Sequence, residues 1–127
     1  MLTAKNNNFA CKIFDHELFR NQKQPELPKS LDWSTNNNPK MRPIVPEIVK
    51  DQKSCGSCYI HSIIDQLSSQ INLKSNLNDS MISLSDRHVL DCLNKVDDPY
   101  RDPCNGGSLS QVYAYAQNFG IFTDQTY

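Results

Sequence analysis

Cysteine has the most chemistry to offer in this chain. Two of its five cysteines stand three apart in "KDQKSCGSCYIHS", residues 50–62. A Cys-x-x-Cys pair serves three chemistries: half of a zinc site, a redox dithiol, or a nucleophile beside a structural cysteine. A structural zinc site takes four ligands, commonly from two close pairs. The other cysteines stand singly at 11, 92 and 104, and the histidines at 16, 61 and 88, so a second pair is missing. A redox dithiol at a helix start follows a buried strand in a βαβ frame. "VPEIVKDQKS" is a poor central strand, because Pro46 interrupts it.

The nucleophile reading uses more of the residues. A cysteine at a helix N-terminus has its thiolate favoured by the dipole and by free backbone N–H groups. Those same N–H groups can stabilise the oxyanion formed when the thiolate attacks a carbonyl. Gln52, six residues before Cys58, offers a side-chain amide to complete such a hole. Gly56 lets the backbone approach a substrate closely.

Positioning this thiol requires a helix, and the sequence supplies one. Ile60, Ile63, Ile64, Leu67 and Ile71 recur at helical spacing after Cys58, with polar residues between them. Isoleucine is only a fair helix former, so burial of the stripe must carry the helix. Ser57 is the expected N-cap, and Lys74 suits the C-terminal dipole. A second helix is expected near Ser85, with Val89, Leu90 and Leu93 on one side. A third is expected from Ser108, carrying Leu109, Val112, Tyr113 and Ala116 and stopping at Gly120. Residues 1–43 read as an extended or loop-rich lead, with Trp33 as an anchor, and "IFTDQTY" as an edge strand or linker.

Composition narrows the function classes. Thirteen basic residues face fourteen acidic ones, a net charge of -1, so neither nucleic acid nor an anionic membrane has an electrostatic footprint here. No run approaches the roughly 20 apolar residues of a membrane span. The start "MLTAKNNNFA" lacks the apolar stretch of a secretory signal. Either a signal has been removed, or the chain is cytosolic, or it is incomplete. Five cysteines and the sequon at Asn78 lean toward an oxidising compartment. The odd count leaves one thiol free or paired outside the chain.

"DQKSCGSCY" resembles the active-site segment of papain-like cysteine peptidases. "SLSDRHVLDC" and "CNGGSLSQVYAYAQNFGI" resemble two further family segments in the same order, and "LPKSLDWS" is similar to the family's mature start. The resemblance covers residues 27–127, preceded by a propeptide-like lead over 1–26. It implies an α+β papain-like fold, of which this chain is mainly the helical left lobe with its long central helix; the right lobe is absent. It implies a cysteine-type peptidase with Cys58 as nucleophile and Gln52 as oxyanion donor. Gly56, Ser57, Tyr59, Gly106 and Gly107 would lie at a peptide or protein substrate. Cys55 and Cys104 would form a disulfide. No cofactor and no metal are implied, and the localisation is lysosomal or secreted. Within the family, "LPKSLDW", His61, "INLK" and "YAQNFGI" are most similar to the cathepsin X group (also called cathepsin Z). Tyr59 departs from that group toward cathepsin C, a dipeptidyl peptidase. The insertion after the glutamine that restricts cathepsin X to C-terminal ends is also missing.

The family's mechanism needs a histidine from the second lobe and an asparagine to orient it. None of His16, His61 and His88 fits that role. His61 is expected to be a packed, hydrogen-bonded residue, His88 a partly buried one and His16 solvated. The chain is therefore a fragment of a longer enzyme, one chain of a multi-chain enzyme completed by a partner, or an inactive paralogue used for binding or structure. In the cathepsin X group a cysteine of a short propeptide bonds to the catalytic one, and Cys11 is similarly placed. Its 16-residue linker to Leu27 could span about 50 Å, so a Cys11–Cys58 lock is sterically easy.

Overall fold

The isoleucine stripe after Cys58 forms helix α1, Cys58–Lys74. It is followed by α2, Asp86–Asp97, by a short 3-10 turn over Pro103–Asn105, and by α3, Leu109–Phe119. The structure is a computed structural model and describes residues 26–46, 49–75, 81–97 and 99–127. Cys11, His16 and the Asn78 sequon lie outside the described residues.

Burial holds α1, as its modest intrinsic propensity requires. Ile60 and Ile64 are 0% exposed, each such side chain contributing about 1.5–3 kcal/mol. The stripe departs from expectation at its C-terminal end. Ile71 is 38% exposed, and its neighbour Asn72 is buried at 1%. Asn72 faces inward because its side chain ties two segments to α1. Its amide donates to the Ile82 carbonyl at 2.9 Å and to the Ile44 carbonyl at 3.3 Å, and its oxygen accepts the Ile82 N–H at 2.8 Å. Ser68, one turn earlier, is buried for a similar reason: its hydroxyl accepts the Leu84 N–H at 3.0 Å. The Arg42 guanidinium donates to the carbonyls of Asn72 and Ser75, two of those left over at the helix end.

α2 begins where Ser85 accepts the His88 N–H at 3.2 Å. Val89 and Leu93 are buried and Leu90 packs partly against them. α3 begins with a reciprocal capping box between Ser108 and Gln111 and stops at Gly120, whose φ of 74° suits glycine. Its inward face is Val112 and Tyr115, whereas Leu109 and Tyr113 are 51% and 40% exposed. The tail forms one antiparallel bridge, Leu84 to Thr123, beside α2. Ahead of α1, residues 26–46 run through turns. Trp33 is half-buried, its carbonyl accepting the N–H groups of Ile44 and Val45.

α1 packs on both α2 and α3, which also touch each other. One core results, from Tyr59, Ile60, Ile63, Ile64, Leu84, Val89, Leu93, Val112 and Tyr115. Among the described residues the architecture is helical, the helical half of an α+β plan with its central helix enclosed on two sides.

Candidate active site

Cys58 is the first residue of α1 and its thiol is free and exposed. Its N–H is therefore one of the four that helix geometry leaves without an intrahelical carbonyl. The turn before it is built from short contacts. Lys53 takes a φ of 54°, and its N–H donates to Asp51 Oδ1 at 2.8 Å. Cys55 N–H donates to the Gln52 carbonyl at 3.2 Å, and Ser57 N–H to the Cys55 carbonyl at 2.8 Å. The Gln52 side-chain amide donates to the Cys55 carbonyl at 2.9 Å. An amide nitrogen carries two hydrogens, so this bond orients Gln52 and leaves a second one to donate. Ser57 occupies the N-cap position without a side-chain cap bond, and it is 3% exposed. It is thus a residue of the turn's interior, not of an open substrate surface.

A second segment, residues 103–107, is clamped against this turn. Cys55 and Cys104 are joined in a disulfide. Gly56 N–H donates to the Cys104 carbonyl at 2.8 Å. A Cβ at position 56 would stand 2.5 Å from that carbonyl oxygen, so only glycine permits the approach. Asp102 caps the 3-10 turn by accepting the Cys104 N–H at 2.9 Å. Gly106 follows with a φ of 88°, its carbonyl accepting from the Arg101 guanidinium at 2.8 Å, and Gly107 is exposed.

Tyr59 corrects an expectation. Expected at the substrate, it is 6% exposed, with its ring beneath Gly107 and its hydroxyl donating to the Pro103 carbonyl at 3.2 Å. Burial holds its phenol above the ordinary tyrosine value, against the pull of the Arg101 guanidinium. The contact joins residues 48 apart in the chain, and nothing in the sequence beyond the adjacent glycines could have pointed to it.

The two described histidines face other partners. His61 Nδ1 lies 3.2 Å from Asp86 Oδ2. His61 Nδ1 and Asp86 Oδ1 are both buried without a hydrogen bond, contrary to the bonded histidine expected. Asp86 instead bonds Lys50 Nζ at 2.6 Å, and Lys50 also meets Asp65 at 2.8 Å. Ser57, Ile60, His61, Asp86 and Leu90 line a shallow hollow beside this group. His88 is buried at 8% among Tyr115, Phe122 and Tyr127, a packing residue as expected.

The arrangement thus brings Gln52, Cys55, Gly56, Cys58, Cys104, Gly106 and Gly107 into two clamped segments. Its exposed thiol at a helix start, with backbone and amide donors nearby, is equipped to attack a carbonyl carbon.

Comparison with known sequences bears on this geometry. The family model described as papain family cysteine protease matches residues 27–127. Cathepsin L1 of Drosophila melanogaster is 35% identical over 102 residues, which cover 80% of this chain and 24% of that protein. Cathepsin L2 of Homo sapiens is 31% identical over 117 residues, 91% of this chain and 30% of that one. Cysteine proteinase RD21A of Arabidopsis thaliana is 34% identical over 103 residues, 80% and 19% respectively. The chain thus spans between a fifth and a third of the length of these relatives.

Proposed function

The chain belongs to the papain family of cysteine proteases and has a papain-like fold, and from that premise we propose that it carries the nucleophile of a cysteine peptidase. Cys58 attacks the scissile carbonyl of a peptide or protein substrate as a thiolate. The oxyanion that forms takes the Cys58 N–H and the second hydrogen of the Gln52 amide. Gly106 and Gly107 present backbone to an extended peptide. The general base and acid come from elsewhere: a histidine of a second lobe, oriented by an asparagine, supplied by a longer polypeptide or a second chain. Residues 27–127 are then the left lobe and 1–26 the lead.

The observation that supports this reading is the exposed thiol at the first residue of α1, directly after a turn that holds the Gln52 amide on the Cys55 carbonyl and is tied to Cys104. Residues 1–127 alone should show no turnover of a peptide substrate, because general acid–base help is worth roughly 100- to 10,000-fold. With Cys11 replaced by serine, a blocked dipeptidyl chloromethyl ketone should nevertheless alkylate Cys58 in preference to Cys92, which among the described residues is the other free thiol and is half-buried. Equal labelling of the two, or turnover that survives in Cys58→Ala, would count against the assignment.

Four finer statements go with it. The motifs "LPKSLDW", "INLK" and "YAQNFGI" favour a likeness to the cathepsin X group, without that group's C-terminal restriction. Tyr59 favours a second reading, a cathepsin C-like dipeptidyl peptidase. The family's usual setting, lysosomal or secreted, fits the Cys55–Cys104 bond. Cys11 acts as a reversible lock on Cys58 by a mixed disulfide, which an external thiol reduces to release both cysteines. Thiol trapping of Cys58 before any reductant should be faster in Cys11→Ser than in the unaltered chain. Equal rates would remove the lock.

A further inference from the structure

Tyr59 follows the nucleophile directly yet turns the opposite way, into the core at 6% exposure. A Cβ built on Gly107 would stand 2.3 Å from Tyr59 Cε2 and 2.4 Å from its Cζ. The glycine backbone therefore rests directly on the ring, and a side chain at 107 would point into Tyr59 and away from the exposed side. The Tyr59 hydroxyl reaches the other end of the same segment, donating to the Pro103 carbonyl at 3.2 Å. One side chain thus holds both ends of residues 103–107.

Two further ties to this segment, the disulfide and the Gly56 hydrogen bond, are made from the turn before α1. Tyr59 is the tie made from the helix itself. Its Cα is one peptide unit from that of Cys58, a fixed distance of about 3.8 Å. The placement of the ring is accordingly set in the same rigid frame as the thiol.

We infer that Tyr59 is a positioning residue that sets the Gly107 backbone relative to the Cys58 thiol, and so governs how an extended peptide is presented to it. This rests on the reading above that Gly106 and Gly107 face the substrate. Tyr59 touches no reacting atom and acts through Gly107.

Two alkylating probes separate presentation from thiol reactivity in the whole chain, with Cys11→Ser as the common background so that Cys58 is free. A blocked dipeptidyl chloromethyl ketone and chloroacetamide react alike: the Cys58 thiolate forms a thioether at the methylene and chloride leaves. The ratio of their rate constants therefore reports peptide recognition. In the folded chain that ratio should exceed its value in the urea-unfolded chain. Tyr59→Phe, which keeps the ring and loses the hydroxyl, should lower the ratio about threefold, the scale of one hydrogen bond. Gly107→Ala should lower it about tenfold or more, since the ring and the new methyl cannot share the space. Adding Tyr59→Leu to Gly107→Ala should recover part of that loss by making room. A ratio unchanged in Tyr59→Phe and in Gly107→Ala, even where both probes slow together, overturns the inference alone and leaves Tyr59 a core residue. A ratio in the folded background chain no higher than in the unfolded one overturns the substrate role of Gly106 and Gly107, and the inference with it.

Discussion

At Lys50 one ammonium meets two carboxylates, 2.8 Å from Asp65 and 2.6 Å from Asp86. Partial removal from water, the largest single influence, pushes the lysine down, and the two carboxylates together more than offset it, so its value lies above the ordinary one. A raised lysine value means the folded state holds the proton more tightly than the unfolded chain. That contribution to stability is complete below the unfolded value, about 10.4, and is lost as pH rises through the folded value. Lys50→Met should therefore weaken the fold at neutral pH and flatten its decline in strong alkali. The carboxylates it would strand are 19% and 42% exposed and keep some water, so the expected cost is only about 1–2 kcal/mol. Urea titrations at pH 7 and pH 11 would check both parts, and equal stability at pH 7 would refute the first. The helix start at Cys58 was legible from types and spacing, because a helix start needs only neighbouring residues, whereas the pairing of Cys55 with Cys104 came from the family resemblance. Lys50 was not, since its two partners are 15 and 36 residues away. Charge in a sequence does not say which side chains fold toward one another.

Helix α1 was predicted from its isoleucine period, and its start and end agree with the structure. Its last turn was misread. Periodicity ranks residues by apolarity, so Ile71 was expected inside, although Asn72 occupies that place. The cause lies outside the helix: residues 44 and 82 need partners for backbone groups that no strand ladder satisfies, and Asn72 serves both. Asn72→Ala should leave the part-buried Ile82 N–H and carbonyl without their side-chain partner and cost about 1–3 kcal/mol. Asn72→Leu, more apolar, should do no better, because the lost bonds are the same. Denaturant midpoints measure this directly, and a Leu variant as stable as the parent would show that burial and not bonding holds the site. α3 follows the same lesson. Its caps were legible in Ser108 and Gly120, but the face it buries depends on where α1 lies, and Tyr115 was missed.

On the scale of the whole molecule, the three helices and the turn of the described residues are tied by the Cys55–Cys104 disulfide, across a sequence separation of 49. Chain-entropy estimates value a loop of that length at roughly 4 kcal/mol, so mild reduction should lower the urea midpoint without erasing the helices in circular dichroism. The bond has a chemical consequence as well as a mechanical one. Cys55 stands three residues from the thiol at Cys58 and, if free, would be a resolving thiol: any oxidation at Cys58 would be captured by its neighbour. Held by Cys104, it is out of circulation. Cys104 in that sense guards the nucleophile's redox state from a distance, keeping a Cys-x-x-Cys sequence from behaving as a dithiol. Cys104→Ser should release Cys55. Peptide mapping after exposure to air would then find Cys55 bonded to Cys58, and a Cys58 that stays free in that variant would show that the neighbouring thiol poses no threat to it.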